Sequence, residues 1–130
     1  MGGKRTRHAV YGIIYHLVWC PKCRRRVLSG PVADRLGQLI RFKVAELNGG
    51  IVALEIQPDH VHLFVSFPPT LAVHQIVHRL KGYTSYVLRH DFPWLKNRLP
   101  ALWTRSYYVG TAGDVSAQTI RRYIEGQKGR

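Results

Sequence analysis

The sequence predicts an α+β domain with the ferredoxin-like plan (split βαβ, RRM-like), in which helices cover one face of an antiparallel sheet. Three observations indicate this fold. Four segments have strand-like patterns, two long amphipathic helices lie between them in the order β-α-β-β-α-β, and a further helix ends the chain. Right-handed crossovers place both long helices on one face, which leaves the other for a nucleic acid or a second subunit. With 130 residues the chain suits one domain, assigned to residues 1–130.

The first third of the chain predicts a strand, a loop and a helix. Residues 9–20, AVYGIIYHLVWC, are rich in β-branched and aromatic types and predict one long strand, after which the basic segment PKCRRRVLSG forms a loop. A helix begins at Pro31 and ends at Asn48-Gly49-Gly50. Its apolar residues recur at helical spacing, at Val32, Leu36, Leu39, Ile40, Val44 and Leu47.

A β-hairpin is predicted in the middle of the chain. Residues 51–57 and 60–67 read as two strands, and Pro58-Asp59 forms the tight turn between them. A turn this short leaves the two strands paired and antiparallel.

The last part of the chain predicts a helix, a strand and a final helix. Thr70 can cap a helix from Leu71 to about His90, which Gly82 could divide into two pieces. After a segment bounded by prolines, residues 101–113 predict the last strand. Asp114 or Ser116 then starts the C-terminal helix.

The charge of the chain predicts a polyanionic partner. Twenty Lys and Arg residues against 7 Asp and Glu give a formal net charge of +13, and nucleic acid is the leading candidate. Aromatic residues interleave with the basic ones, which suits single strands whose bases can stack. We expect Trp94 and Trp103, however, to fill the core. No apolar run approaches the length of a membrane span and no signal-peptide core is present, so we expect a cytoplasmic protein without a membrane partner.

The two cysteines, Cys20 and Cys23, form a single CPKC pair. A zinc site would need two further good ligands, and the chain has no second pair of cysteines. We therefore interpret the spacing as accidental, in a compartment that keeps thiols reduced.

Two histidines stand one residue apart in PDHVHLFVSFPP, at the start of the second hairpin strand. In an extended strand His60 and His62 share one face and lie about 6 to 7 Å apart. Two neutral imidazoles at this distance can bind one divalent cation if a third ligand arrives from elsewhere in the fold. The alternative is a pair of half-exposed strand residues without a metal.

The segment RRYIEGQ of the last helix offers that third ligand. Tyr123 and Gln127 are four residues apart and share a helical face. The amide oxygen of Gln127 is a hard ligand that suits Mg²⁺ or Mn²⁺, and a neighbouring phenol would then lie near a metal-bound phosphate. The cation, with Arg121 and Arg122, could stabilise the phenolate as a nucleophile. The alternatives are core packing for Tyr123 and a solvated surface amide for Gln127.

With these residues in view, the sequence resembles the single-tyrosine HUH-class transposases of small insertion sequences, a superfamily that includes the REP-associated tyrosine transposases. The likeness spans nearly the whole chain. It is carried by the histidine pair of PDHVHLFVSFPP, by the Tyr-x-x-x-Gln of YIEGQ, and by WCPKCRRRVLSG, KGYTS and LWTRSYYVGTAG in matching order. Cys23 departs from the pattern, since related chains often carry an aromatic residue there.

The resemblance implies a DNA transposase that cleaves and rejoins single-stranded DNA at insertion-sequence ends. Tyr123 would form a covalent 5′-phosphotyrosine, and His60, His62 and Gln127 would bind Mg²⁺ or Mn²⁺. The family likeness also implies recognition of DNA hairpins and a homodimer whose active sites are shared between subunits. Such an enzyme would act on the nucleoid of a prokaryotic cell. We expect DNA contacts from basic side chains at Arg24, Arg25, Arg79, Lys81, Arg121 and Arg122.

Three alternatives to this function remain at the level of sequence. A non-catalytic RRM-like module that binds single-stranded nucleic acid would explain charge and composition but not the histidines and Tyr123. A metal-dependent phosphodiesterase that uses water would need no covalent step. A domesticated relative that processes palindromes would share the chemistry but serve the host.

Overall fold

Four antiparallel strands form the central sheet of the computed structural model, which describes residues 4–5, 10–11, 13–111 and 117–129. Strands β1 (Lys4–Arg5) and β2 (Val10–Tyr11) pair in a separate two-stranded sheet. The central strands lie in the spatial order β4-β5-β3-β6, and each neighbouring pair is antiparallel. Their bounds are β3 (Tyr15–Trp19), β4 (Gly50–Gln57), β5 (His60–Ser66) and β6 (Tyr108–Thr111). This order confirms the ferredoxin-like plan and the predicted hairpin.

The described residues also form four α-helices and one 3-10 turn. None of the helices in these ranges is long and apolar enough to cross a membrane. Their bounds are α1 (Gly30–Glu46), α2 (Val73–Asp91), α3 (Trp94–Arg98) and α4 (Ala117–Gly126), and the 3-10 turn covers Lys22–Arg24.

The end of α1 explains the Asn-Gly-Gly sequence that follows it. Asn48 has a φ of 61°, the left-handed conformation in which many helices end. Gly49 packs against the ring of Phe67 so closely that a Cβ atom would lie 2.6 Å from Cε1. A side chain at this position would therefore push apart the helix end and the end of β5.

The core lies between the sheet and the two long helices. Alternation along β3 and β5 directs Leu17, Trp19 and Leu63 to the same face, and register pairs Leu17 directly with Leu63. Buried residues of α1 and α2 join them in one cluster, among them Val32, Leu36, Leu39, Ile40, Val44, Ile76, Val77 and Leu80. Burial of such apolar surface is the main stabilising contribution in a domain of this size.

The prediction of one long first strand over residues 9–20 is wrong. Within this stretch β2 pairs with β1, and only Tyr15–Trp19 joins the central sheet; residues 9 and 12 lie outside the described part. The first described pair of β3 in the central sheet is at Tyr15. Tyr15 pairs with Val65 near the end of β5 and with Thr111 at the end of β6.

The last predicted strand is also shorter than its apolar and aromatic pattern indicated. Of its described residues, only Tyr108–Thr111 pair with β3, while Trp103 makes an isolated bridge to Pro21. Between them, the carbonyl oxygens of Thr104 and Ser106 accept hydrogen bonds from Lys81 instead of from a strand. The start proposed for the last helix, at position 114 or 116, lies outside the described residues.

Helix α2 differs from its prediction in two respects. Ala72, not Thr70, stands at its N-terminus, and the amide oxygen of Gln75 accepts a hydrogen bond from the Ala72 backbone N–H at 3.2 Å. Gly82 does not divide the helix, because its neighbours in the turns on either side anchor the apolar face in the core.

Of the two tryptophans expected in the core, one is buried and one is not. Trp103 is buried and packs edge-on against Trp19, with ring centroids 6.0 Å apart. Trp94 is 40% exposed, because it begins the short helix α3 and its ring faces the Arg98 guanidinium. The prediction for Trp94 was therefore wrong.

We predict that Thr84→Val destabilises the fold. Thr84 is fully buried; its hydroxyl accepts a hydrogen bond from Trp103 Nε1 at 3.0 Å and donates one to Leu80 O at 2.7 Å. Valine keeps the shape but leaves the indole N–H without a partner, which costs about 1–3 kcal/mol. Urea unfolding should show a lower midpoint for Thr84→Val and a near-native midpoint for Thr84→Ser, which keeps the hydroxyl. Equal midpoints for the wild type and the valine variant would contradict this role.

Candidate active site

The two histidines of β5 lie on the sheet face opposite the helices. The rings of His60 and His62 are 4.9 Å apart between centroids, and both are partly buried. Nδ1 of His60 is 2.8 Å from Oδ1 of Asp59, so this nitrogen donates to the carboxylate and Nε2 keeps its lone pair. A carboxylate behind a histidine in this way is typical of metal ligands, because it fixes the tautomer and the ring orientation.

Asp59 is itself held by Arg24. The Nε atom of Arg24 is 2.9 Å from Oδ2 of Asp59, and both side chains are largely shielded from solvent. The same guanidinium donates from Nη1 to the backbone oxygen of Ile124 in α4, at 3.3 Å. Arg24 thus joins the residue that orients His60 to the helix that carries Tyr123.

A third histidine, His16 of β3, completes the cluster from the neighbouring strand. Its Nε2 is 3.1 Å from Nδ1 of His62, and its ring stacks on Phe64 with centroids 3.9 Å apart. Burial, and then the neighbouring His62, lowers the pKa of His16 to about 4. Burial and the neighbouring His60 likewise lower the pKa of His62. Both rings are therefore neutral at physiological pH, the state in which imidazole binds metals.

Tyr123 and Gln127 meet at the hydroxyl of Ser106. Ser106 Oγ donates to Gln127 Oε1 at 2.9 Å and lies 3.1 Å from the Tyr123 hydroxyl oxygen. Since a serine hydroxyl has one proton, the phenol donates in the second contact. Gln127 is buried and its Nε2 donates to the Tyr123 backbone oxygen at 3.2 Å, so it is not the solvated surface amide that was the alternative.

The phenol of Tyr123 is kept neutral by its surroundings. Burial raises its pKa, and the hydrogen bond with Ser106 opposes this only in part. The buried thiol of Cys20 lies close by, and burial, reinforced by Asp59, raises its pKa to about 12. Cys20 and Cys23 form no disulfide, and Cys20 is unreactive as a buried thiol of high pKa.

Lys81 holds the segment that carries Ser106. Its Nζ donates to the backbone oxygens of Thr104 at 2.6 Å and Ser106 at 3.1 Å. Burial lowers the pKa of Lys81 to about 8. These contacts place the Lys81 ammonium on the protein backbone, whereas the sequence suggested a contact with DNA.

The histidine cluster and the tyrosine helix are neighbours. Tyr108 of β6 lies between them: its ring is 6.2 Å from that of His16 and 6.2 Å from that of Tyr123, between centroids. Among the described contacts, however, Gln127 bonds to Ser106 and Tyr123 and not to His60 or His62.

The donor set fits a divalent cation at the histidines. In the described part of the chain no hydrogen bond occupies Nε2 of His60 or His62, and both nitrogens sit on one strand face. No group of three or more His, Cys, Asp and Glu side chains that could hold a metal occurs among the described residues. A cation bound here therefore needs an oxygen ligand of another type, such as the Gln127 amide.

Three of the five remaining predicted DNA contacts lie at the surface. Arg25, Arg79 and Arg122 are exposed, as DNA contacts would need to be. Arg24, by contrast, is committed to Asp59 and α4. The side chain of Arg121 lies outside the described part of the structure.

Comparison with known proteins identifies the family. The model of the family described as "Transposase IS200 like" matches residues 9–127. The chain belongs to the IS200-like transposases. This membership makes it an enzyme of DNA transposition that cleaves and transfers DNA strands.

Curated relatives agree with the family assignment. The ISDra2 transposase TnpA of Deinococcus radiodurans is 38% identical over 126 residues, which cover 95% of this chain and 90% of that protein. The transposase for insertion sequence element IS200 of Salmonella typhimurium is 33% identical over 126 residues, 95% of this chain and 82% of that protein. Both relatives match this transposase over most of their length.

Solved structures support the fold. A crystal structure of a Deinococcus radiodurans protein described as a transposase has a TM-score of 0.89 and 36% identity, and covers 98% of this chain and 99% of that chain. A REP-associated tyrosine transposase bound to a REP hairpin has a TM-score of 0.59 at 14% identity. This likeness covers 95% of this chain and 68% of that chain. The second likeness shows the fold alone.

Sequence reasoning missed three residues of this transposase site, Asp59, His16 and Ser106, and expected a fourth, Lys81, to contact DNA instead of the backbone. Asp59 was assigned only to a turn, although its position before His60 is a usable signal for a supporting carboxylate. His16, Ser106 and Lys81 come from three other elements, and no local pattern places them beside the histidines or the tyrosine.

We predict that Lys81→Met destabilises the protein, because it leaves two backbone oxygens without their donor. Hydrogen bonds from a charged donor contribute about 1.5–3 kcal/mol each when buried, and less at a half-buried site. Urea unfolding at pH 7 measures the loss. The control is Arg79→Met, which removes an exposed cation of α2 two residues earlier and should change the unfolding midpoint little.

Comparison of the wild type with Lys81→Met also gives a pH test. The folded pKa of Lys81, about 8, is below its unfolded value of 10.5, so between these values the unfolded chain binds a proton that the folded chain does not. The free energy of unfolding of the wild type should therefore rise with pH relative to that of Lys81→Met. If the free energy of unfolding of the wild type instead falls relative to that of Lys81→Met between pH 8 and pH 10, the placement of Lys81 is contradicted.

Proposed function

We propose that this transposase cleaves single-stranded DNA at insertion-sequence ends, with Tyr123 as the nucleophile and a 5′-phosphotyrosine as the intermediate. The observation that carries the proposal is the Ser106 hydroxyl, which contacts both the Tyr123 phenol and the Gln127 amide. A candidate nucleophile thus stands beside a candidate metal ligand, next to the histidine cluster in which burial keeps His16 and His62 neutral.

The proposed reaction exchanges one phosphodiester for another. The Tyr123 oxygen bonds to phosphorus as its proton leaves, and the bond from phosphorus to the 3′ oxygen breaks, which frees a 3′-hydroxyl after protonation. A 3′-hydroxyl can later attack the phosphotyrosine and release the phenol. No external energy source is needed, because the covalent intermediate retains the bond energy.

His60, His62 and Gln127 would hold Mg²⁺ or Mn²⁺. A bound cation would polarise a phosphate oxygen and offset the charge that develops there. Asp59 keeps Nε2 of His60 directed to the site, and His16 does the same for His62 by bonding Nδ1. If the Gln127 amide oxygen binds the cation, the Ser106 hydroxyl no longer donates to that oxygen. Ser106 can then donate to the Tyr123 oxygen instead and stabilise the phenolate.

A DNA hairpin is the proposed recognition element. Support comes from the excess of basic residues, from the family, and from the fold shared with a tyrosine transposase that was solved with a hairpin. Relatives at 38% and 33% identity are insertion-sequence transposases, which favours a mobile-element enzyme over a domesticated palindrome-processing one. We further propose that it acts on DNA in the cytoplasm of a prokaryotic cell.

We also propose a homodimer with active sites shared between subunits. Two observations support it besides the family likeness. Within one chain, the described contacts of Gln127 and Tyr123 go to Ser106 and not to the histidine pair. In addition, β4 is an edge strand of the sheet, and its Val52 is 61% exposed.

Tyr123→Phe should abolish the covalent protein–DNA adduct and strand cleavage but keep hairpin binding, because only one oxygen is lost from a packed ring. The adduct is scored by denaturing gel with a labelled single-stranded element end. Tyr108→Phe removes a hydroxyl from the neighbouring ring and is the matched control. Adduct formation by the Tyr123 variant would reassign the nucleophile, and cleavage without any adduct in the wild type would favour a water-dependent phosphodiesterase.

His60→Ala should abolish cation-dependent cleavage, and Asp59→Asn should weaken Mn²⁺ binding by about 10–100-fold, because the supporting carboxylate is lost. Mn²⁺ affinity is measured directly by calorimetry and separately as the concentration for half-maximal cleavage. His90→Ala, which alters an exposed histidine of α2, is the control. Cleavage at the wild-type rate in EDTA would refute the metal site.

Mixing two inactive proteins tests the shared sites. A His60→Ala/His62→Ala protein and a Tyr123→Phe protein should together recover cleavage, because a heterodimer that shares its sites contains one intact combination. If each site were complete within one chain, every site in the heterodimer would carry a lesion. No recovery after confirmed subunit exchange would therefore refute the sharing and leave the tyrosine chemistry intact.

A further inference from the structure

A cleft opens directly beside the nucleophile. It is lined by Lys22, Thr104, Arg105, Ser106 and Gln127. Two of these lining residues, Ser106 and Gln127, also hold the Tyr123 side chain and backbone. A molecule in this nucleophile cleft would therefore lie next to the phenol.

Two cations face the nucleophile cleft, and neither has a partner among the described residues. In the described part of the chain, neither the Lys22 ammonium nor the Arg105 guanidinium takes part in a hydrogen bond or ion pair, and Arg105 is exposed. No acidic side chain is among the described residues that line the cleft. The described carboxylates that form ion pairs with Arg or Lys do so elsewhere, at Arg24, Arg35 and Lys43. This charge pattern is complementary to an anion.

A second cleft adjoins the first at Arg105. Arg105 lines both clefts, and the second, here called the outer cleft, is also lined by Tyr107, His74 and His78. Tyr107 is partly buried and presents an aromatic ring at the surface of this cleft. Cationic groups beside an aromatic ring are the common arrangement for a single strand, whose phosphates need charge and whose bases stack.

We propose that the two clefts bind the single DNA strand next to the linkage that is cleaved. A phosphate neighbouring the scissile one lies between Lys22 and Arg105 in the nucleophile cleft, and the next base stacks on Tyr107 in the outer cleft. This inference rests on the proposed function, because it takes Tyr123 as the nucleophile. It assigns to Lys22, Arg105 and Tyr107 a role in aligning the strand for attack.

The proposal predicts which part of the DNA each residue affects. Arg105→Ala should weaken binding of a hairpin that carries the single-stranded flank by about tenfold, the effect of losing a charge-assisted phosphate contact. Binding of the hairpin without its flank should be unchanged. Arg41→Ala, which removes an exposed charge from α1, is the matched control and should not distinguish the two DNAs.

The experiment combines these variants with a neutral DNA linkage. Affinities are measured in the Tyr123→Phe background with flanked hairpins in which a methylphosphonate replaces the phosphate on one or the other side of the scissile linkage. One of the two replacements should weaken binding in the parent. This loss should be smaller in Arg105→Ala and in Lys22→Ala, because each variant keeps only one of the two cations, and it should be unchanged in Arg41→Ala. Equal losses in all four proteins, or no loss in any of them, would overturn the proposal.

Adduct formation by the wild type on unmodified DNA is scored in parallel. This assay tests the tyrosine chemistry alone. An adduct without the expected affinity pattern would contradict only the strand path through the clefts, whereas absence of the adduct would contradict the proposed function.

Tyr107→Ala should weaken flank binding and Tyr107→Phe should not, because stacking needs the ring and not the hydroxyl. Equal binding by these two variants would remove Tyr107 from the strand path.

Discussion

The active site depends on one guanidinium, that of Arg24, because it bonds the sheet and the last helix at once. It binds the Asp59 carboxylate behind the histidine pair and the backbone oxygen of Ile124, which adjoins Tyr123. The turn that delivers it is strained: Cys23 and Arg24 have φ values of 58° and 52°, a conformation that costs L residues roughly 1–2 kcal/mol each. Such strain persists only where surrounding contacts offset it, and it is common at functional sites.

The centre of the site is uncharged although the chain carries a net charge of +13. Burial is the first cause throughout: it lowers the pKa of His16 and His62 and raises the pKa of Tyr123 and Cys20. Neutral imidazoles can accept a cation, and a neutral phenol does not repel DNA. Two positive groups of the site are occupied, Arg24 by Asp59 and Lys81 by backbone oxygens, whereas Lys22 and Arg105 face the nucleophile cleft. The basic side chains therefore attract the DNA, and different, neutral side chains are placed to carry out the reaction.

The sequence predicted those parts of the site that depend on residues close together in the chain, and it did not predict those that depend on residues far apart. Alternation and helical spacing are local, so they placed His60 and His62 on one strand face and Tyr123 and Gln127 on one helical face. The sheet order followed from general rules of connection. Ser106 could not be predicted, because its position depends on Lys81, a residue 25 positions away that takes its backbone oxygen. The same long-range contact shortened the last strand, where pattern alone predicted a longer one.

The double attachment of Arg24 also bears on how copies of a mobile element decay. Random substitutions accumulate in copies that selection no longer maintains, and a surviving gene is usually judged by whether its hallmark residues are present. A change at Arg24 leaves the H-x-H and Y-x-x-x-Q residues untouched and the hydrophobic core intact. It nevertheless removes at once the ion pair with Asp59 and the hydrogen bond to the last helix. A copy can therefore look complete in a genome by its motif and already be a relic, and the arginine after CPKC is the residue to inspect.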